Sequence, residues 1–350
     1  MLTLLIGKQV LAQDSLKTDK KVSILPLPVI FSTPETGLGF GALTSGVFNL
    51  GNRSNTRTSN VQILGAYTVN NQIITRINNN IFTKGEQYNL FGEISYFDFP
   101  ILYYGIGNNT EEENEEELGY QIVNFQQRLL KQFKKGDFLG VQYRFSRVFD
   151  VDYSPINLTD SISVRGGAGT VSGFGPAYVH DTRDNVLNSS EGNFLELSAT
   201  FHAGFLGSDF NFTRYRIDYR RFWKLNDQSV LATQFLGEFN NGDVPWNELA
   251  QMGGDQIMRG YYQGRYRDKN QVALQGEYRR QLIPWIGVVA FAAVGEVGNS
   301  IDDISISNFK WTAGGGLRIM VNKRERTNVR IDYGIGNGPN GLYFGFAEAF

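Results

Sequence analysis

The sequence predicts an all-β fold: a sixteen-stranded antiparallel transmembrane β-barrel over residues 22–350, with no second domain. Three observations point there. From residue 22 onward the chain repeats one pattern, 10–15 residues of apolar–polar alternation and then a turn, which is the period of a strand with two unlike faces. The runs exceed the roughly 5–6 residues usual for water-soluble strands and suit the roughly 9–11 that a tilted strand needs to cross a bilayer. Long and short connections also alternate, as in barrels whose turns face one compartment and whose loops face the other. Alternation by itself fits a soluble sandwich with a polar outside equally well. Strand length and loop parity decide for the barrel.

Composition narrows the alternatives. Glycine accounts for 40 of 350 residues, aromatics for 13% and proline for only 9 residues, a mixture of strand formers and tight-turn formers. The formal charge of −2 supplies no basic field for nucleic acid. With no cysteine, and His180 and His202 as the only histidines, no metal centre, cofactor or thiol chemistry is expected. Mean hydropathy is −0.27, and no run of 18 apolar residues suggests a membrane helix. Gly-x-Ser-x-Gly, Gly-rich phosphate loops and His-Glu-x-x-His are all absent, so an enzyme is not expected.

Taken in order, residues 1–12 read as the remnant of a signal peptide, with Val10 and Ala12 placed three and one residues before a cut ahead of Gln13. Residues 13–21 form a short periplasmic segment. The strands follow at 22–31, 37–49, 57–69, 71–82, 86–98, 117–131, 137–150, 167–181, 192–204, 210–224, 228–240, 270–282, 285–296, 308–321, 326–336 and 340–350. Pro26 and Pro28 in the first of these donate nothing to a ladder, which marks it as an edge. Connections after the fifth, seventh, eleventh and thirteenth strands are long, and those after even-numbered strands are mostly short. That ordering puts both termini in the periplasm of an integral protein of the bacterial outer membrane. The alternation turns Arg144, Arg214, Arg216, Arg220, Arg279 and Arg330 to the lumen, where Asp218, Glu277 and Asp332 can pair with them. The acidic run at 111–117 reads as a solvated outer loop.

One connection has its own composition. Residues 251–267 hold Gly253, Gly254, Gly260 and Gly264 with three arginines and three tyrosines, the makings of an ordered functional loop.

Gly253-Gly254 … Met258-Arg259-Gly260-Tyr261 resembles the loop tip of BamA/TamA-type barrels, the bacterial surface antigen superfamily. The resemblance implies an extracellular loop folded back into the lumen, with Arg259 paired to an acidic residue of the wall. Asp181-Thr182-Arg183-Asp184 with downstream Gly192 is similar to the same family's periplasmic turn. Ser32–Gly41 and Tyr104–Asn108 resemble segments of Bacteroidetes-type members. The last strand, with Phe344, Phe346 and Phe350 on one face, resembles the C-terminal β-signal of outer-membrane barrels, except that Glu348 interrupts that face.

Two departures from the family shape the expectation. Its wall motif Phe-x-Asp-x-Gly reads Phe291-Ala292-Ala293-Val294-Gly295 here. Arg259 therefore needs another partner, Glu277 first and Glu296 second. Residues 13–21 leave no room for the family's periplasmic polypeptide-transport-associated modules.

The function this resemblance implies is insertion or translocation of protein or lipid at the outer membrane, through a seam between the first and last strands. Outer-membrane lipid or lipopolysaccharide, and separate periplasmic or outer-membrane proteins replacing the missing modules, are the partners expected. The alternatives are a passive pore or structural subunit of an outer-membrane complex and, further off, a soluble β-rich protein.

Overall fold

A computed structural model describes residues 22–33, 37–52, 54–152, 167–323, 326–338 and 340–350. The signal remnant, segment 13–21 and residues 34–36 of the opening hairpin lie outside the described residues. Sixteen long strands and three short ones run in order: β1 (Val22–Thr33), β2 (Gly37–Phe48), β3 (Ser59–Thr68), β4 (Ile73–Phe82), β5 (Tyr88–Asp98), the short β6 (Ile101–Tyr103), β7 (Glu116–Lys134), β8 (Asp137–Asp152), β9 (Gly169–Asp181), β10 (Gly192–His202), β11 (Phe212–Asn226), β12 (Ser229–Gly242), the short β13 (Ala250–Met252) and β14 (Tyr266–Asp268), β15 (Asn270–Ile283), β16 (Ile286–Gly298), β17 (Lys310–Asn322), β18 (Thr327–Gly336) and β19 (Gly341–Phe346). Each long strand pairs antiparallel with the next long one, β5 reaching β7 and β12 reaching β15 across the insertions.

The two faces of this sheet are inverted relative to a soluble protein. Leu129, Leu139, Tyr215, Leu274 and Tyr333 stand outward and exposed, while Arg128, Asp218, Glu277, Arg330 and Asp332 are buried within. Apolar surface loses roughly 25 cal/mol for each Å² left in water, so a continuous apolar exterior over a charged interior belongs in hydrocarbon. Contacts across the interior show how far the sheet wraps. Arg57, before β3, reaches Asp181, at the end of β9, at 2.7 Å.

The turn 182–191 crosses the inner mouth. Asn188 donates to the Arg326 carbonyl at 3.1 Å, Arg326 donates to Asp184 at 2.7 Å, and the Glu348 N–H donates to the Leu187 carbonyl at 3.1 Å. Burial pushes the Asp184 carboxyl up, but hydrogen bonds from Ser190 and Arg326 outweigh it and hold the group below its ordinary value. A depressed carboxylate stabilises above its unfolded pKa and loses that contribution as pH falls through the folded one. Amide-exchange protection at Glu348 is therefore expected to drop as pH falls below about 4, and Asp184→Asn to remove the pH dependence. Equal protection at pH 3 and pH 6 would count against a tether through Asp184.

The last strand departs from the expected 340–350. It ends at Phe346, and Ala347 takes a positive φ of 68°. That single residue reverses the alternation, so Glu348 and Phe350 turn inward instead of toward lipid. Glu348 pairs with Arg318 at 2.7 Å and accepts from Asn328 at 2.7 Å. Phe350 packs on Phe222 and Ala232. Phe344 stays exposed and Phe346 is half-buried, so the three phenylalanines do not share one face.

Candidate functional site

The long connection between β12 and β15 folds back into the barrel. Its stem is the β13–β14 ladder, Ala250↔Asp268 to Met252↔Tyr266. Its tip turns on four glycines with positive φ: Gly253, Gly254, Gly260 and Gly264. Met252, Ile257, Met258, Tyr261 and Tyr266 pack against Leu236, Ala273, Ala293 and Val297 of the wall. The apolar half of the tip thus finds a dry apolar patch on the wall. Ala293, at the position where the resemblance implies an acid, belongs to that patch.

Strand register prepares the seat for Arg259. Glu277 of β15 faces Phe291 of β16, Phe291 faces Gly314 of β17, and Gly314 faces Gly334 of β18. The guanidinium lies 3.8 Å over the Phe291 ring and is 1% exposed. It donates to Glu277 on one side and to Asp332 at 2.6 Å on the other. The two glycines of the row leave room beside it. A Cβ on Gly334 would come within 2.5 Å of the Arg259 carbonyl oxygen, and one on Gly260 within 2.7 Å of the Ile335 carbonyl oxygen. Tyr343 of β19 completes the seat, accepting from the Gly260 N–H at 3.0 Å and donating to the Tyr261 carbonyl at 2.9 Å. Tyr261 donates in turn to the Trp311 carbonyl at 3.1 Å.

The charges of this seat form one network. Arg279 donates to Glu277 at 2.8 Å, Arg318 to Asp332 at 2.5 Å, and Arg330 to Asp332 at 3.1 Å and to Asp255 of the loop at 2.5 Å. Arg259, Arg279, Arg318 and Arg330 meet Glu277, Asp332, Glu348 and Asp255, four cations to four carboxylates. Such matching is what burial of so many charges demands.

The loop's other arginines look outward. Arg265 donates to the Thr110 hydroxyl at 2.7 Å and to its carbonyl at 2.9 Å, and stacks on Tyr104 at 4.5 Å. Arg267 lies over Tyr103 at 4.7 Å. The Gly107 N–H donates to the Arg267 carbonyl at 2.8 Å. The Tyr104–Asn108 stretch therefore clamps the plug from above. Glu248 of the loop pairs with Arg214 of β11 at 2.9 Å.

Glu296 does not serve Arg259. It accepts from the Ser305 N–H at 2.8 Å, because its place near the outer end of β16 lies far above the Phe291 row. Asp332, Tyr343, Gly334 and Gly336, whose Cβ position would lie 2.9 Å from the Tyr261 ring, are the seat residues that sequence reasoning did not assign to Arg259 or the loop. Asp332 and Gly334 had one signal, their place on the lumen face of 328–335; Gly336 and Tyr343 had none. At the turn after β9, Arg183 grips Asp181 through two bonds of 2.9 Å, and Gly192 has φ 102° with a Cβ position 2.7 Å from the Thr182 carbonyl carbon. Pro26 and Pro28 are exposed on β1 opposite Thr44 and Ala42. His180 bonds Asp137 at 2.7 Å on the rim. Among the described residues no cluster of side chains suits a metal.

A family model described as the Omp85 superfamily domain matches residues 60–350. No curated protein matches the chain. Among solved structures it is similar to BamA from Haemophilus ducreyi lacking POTRA domains 1–3, at 13% identity and TM-score 0.58, over 94% of this chain and 70% of that one. It is also similar to CdiB from Escherichia coli, at 13% identity and TM-score 0.59, over 93% of this chain and 61% of that one. CdiB from Acinetobacter baumannii matches at 14% identity and TM-score 0.54, over 93% of this chain and 58% of that one. The chain thus spans about three fifths of the two CdiB chains, and at such identities the likeness is one of fold.

Proposed function

The chain belongs to the Omp85 superfamily and forms an outer-membrane β-barrel, and from that premise we propose that it inserts or translocates protein or lipid at the outer membrane. The route is lateral, between the first and last strands, with the lumen closed by the plug. The observation that supports this reading is a mismatch at the seam. β1 offers 12 residues, two of them prolines without an N–H, whereas β19 offers 6 before its tail turns inward. A seam with so few available hydrogen bonds is the weakest line in the cylinder. Opening there exposes an edge to lipid without disturbing the buried charge network.

The test is a disulfide between a cysteine placed in β1 and one placed in β19. The chain has no native cysteine to interfere. The oxidised strain is expected to lose complementation and to regain it on reduction; unimpaired growth of the locked strain sinks the lateral route.

Partners follow from the same proposal. The partners proposed are a periplasmic or outer-membrane protein that delivers the cargo and outer-membrane lipid or lipopolysaccharide at the seam. No catalytic role is proposed. One observation favours a second reading, the passive pore: a cavity of about 470 Å³ runs beside the plug. Planar-bilayer recordings separate the two. A mostly closed barrel supports the first, and a steady open channel the second.

A further inference from the structure

The plug occupies one side of the lumen. Against the other wall, from β3 to β5 and β7 to β11, lies the cavity of about 470 Å³, floored by Leu187 and Ala347–Phe350. Its size is that of a small-molecule site. What distinguishes it is which charges face the space. The lining carboxylates Asp181, Glu196 and Asp218 are recessed, with side chains 1–5% exposed, whereas Arg76, Arg144, Arg216 and Arg220 are 22–41% open. Among the lining residues only one carboxylate is comparably open, Glu93, 3.6 Å from Arg76. A ladder that merely neutralised the wall would leave both signs equally accessible; here four of the seven lining arginines stand open, with Arg57, Arg128 and Arg183 recessed, whereas four of the five lining acids are recessed. Low-dielectric walls then focus a positive potential into the chamber.

A second observation points to a ligand. Arg128, 5% exposed and lining the same space, spends Nη1 on Glu196 at 2.6 Å, while its Nε has no hydrogen-bond partner among the described residues. A buried charged donor left unmade is costly.

We propose that this chamber binds a small phosphate-bearing anion. Several planar forks converging on one enclosed space suit an oxyanion with more than one charge, since guanidinium N–H pairs match phosphate oxygens two at a time. The proposal rests on the barrel fold alone and stands or falls separately from the lateral route. Free phosphates and lipid headgroups share this chemistry.

The test uses the full chain in neutral detergent at low salt, with equilibrium dialysis of labelled inorganic pyrophosphate. Saturable one-site binding is expected, weakening as salt is raised and falling at least tenfold in R76Q/R144Q. Those two arginines make only long ion pairs, both 3.6 Å, with Glu93 and Glu248, although Arg144 also donates to Gln126 at 2.8 Å, and heat-modifiable migration on a gel checks that the variant is folded. Arg76→Gln alone, at the most open of the four, is expected to weaken binding about threefold and serves if the double variant misfolds. Absence of saturable binding, or unchanged affinity in a folded variant, overturns the proposal. Dihexanoyl phosphatidic acid binding more tightly than pyrophosphate assigns the site to a lipid headgroup, and the reverse order to free phosphate.

Discussion

Arg259→Ala is expected to turn a closed barrel into a steadily conducting one. The guanidinium is fully buried between Glu277 and Asp332, while the tip's other charge in this network, Asp255, pairs with Arg330. Breaking a buried pair by removing one partner costs about 3–5 kcal/mol, enough to shift the docking of the loop by a factor of roughly a hundred to several thousand. The wall itself survives the change, because Glu277 keeps Arg279 while Asp332 keeps Arg318 and Arg330. Heat-modifiable migration should therefore be retained while protease begins to cut within 251–267. E277Q/D332N is the harsher variant. It leaves three wall arginines and Arg259 short of counter-charge, and it should unseat the loop and weaken the barrel together. A closed baseline in Arg259→Ala, with the loop still protected, would show that the apolar patch alone holds the plug.

The second large effect involves no charge. Gly334→Val is expected to expel the tip, because a side chain there occupies the position of the Arg259 carbonyl. Valine suits a strand, so β18 keeps its pairing and only the loop is displaced. Gly260→Ala should act from the other partner, meeting the Ile335 carbonyl and forcing an alanine to φ 128°, a conformation that costs about 1–3 kcal/mol. Gly65→Val is the control, since no atom lies within 4 Å of its Cβ position. Conductance like that of Arg259→Ala in the two seat variants and a closed baseline in the control are the expected outcome. A plug that stays closed in Gly334→Val would mean that the close backbone approach is not what seats it.

How much of this was legible follows from the range of each signal. The strand runs, the loop at 251–267 and the lumen-facing rank of Glu277 and Asp332 are local facts, written in a two-residue period and readable from a few neighbours. Choosing between Glu277 and Glu296 for Arg259 required knowing that Glu277 shares a row with Phe291, which is a matter of register between strands. Asp332 lies 73 residues from Arg259, and no local pattern joins them. The tail misled for a related reason. Residues 340–350 carry a strand pattern almost to their end, yet the inward pull of Arg318 and Asn328 on Glu348 and the turn at Ala347 override it.

By itself, then, the sequence determined an all-β chain of sixteen long strands with an apolar face and a charged one, and a glycine–arginine–tyrosine loop built to dock. Only the tertiary structure decided where that loop sits, which glycines make room for it, that the turn 182–191 spans the inner mouth, and that guanidiniums rather than carboxylates face the open half of the lumen. Alternation is set by the two-residue repeat of the backbone. Register across strands, and which member of an ion pair stands in front, depend on closing the sheet on itself, and that brings together residues with no relation along the chain.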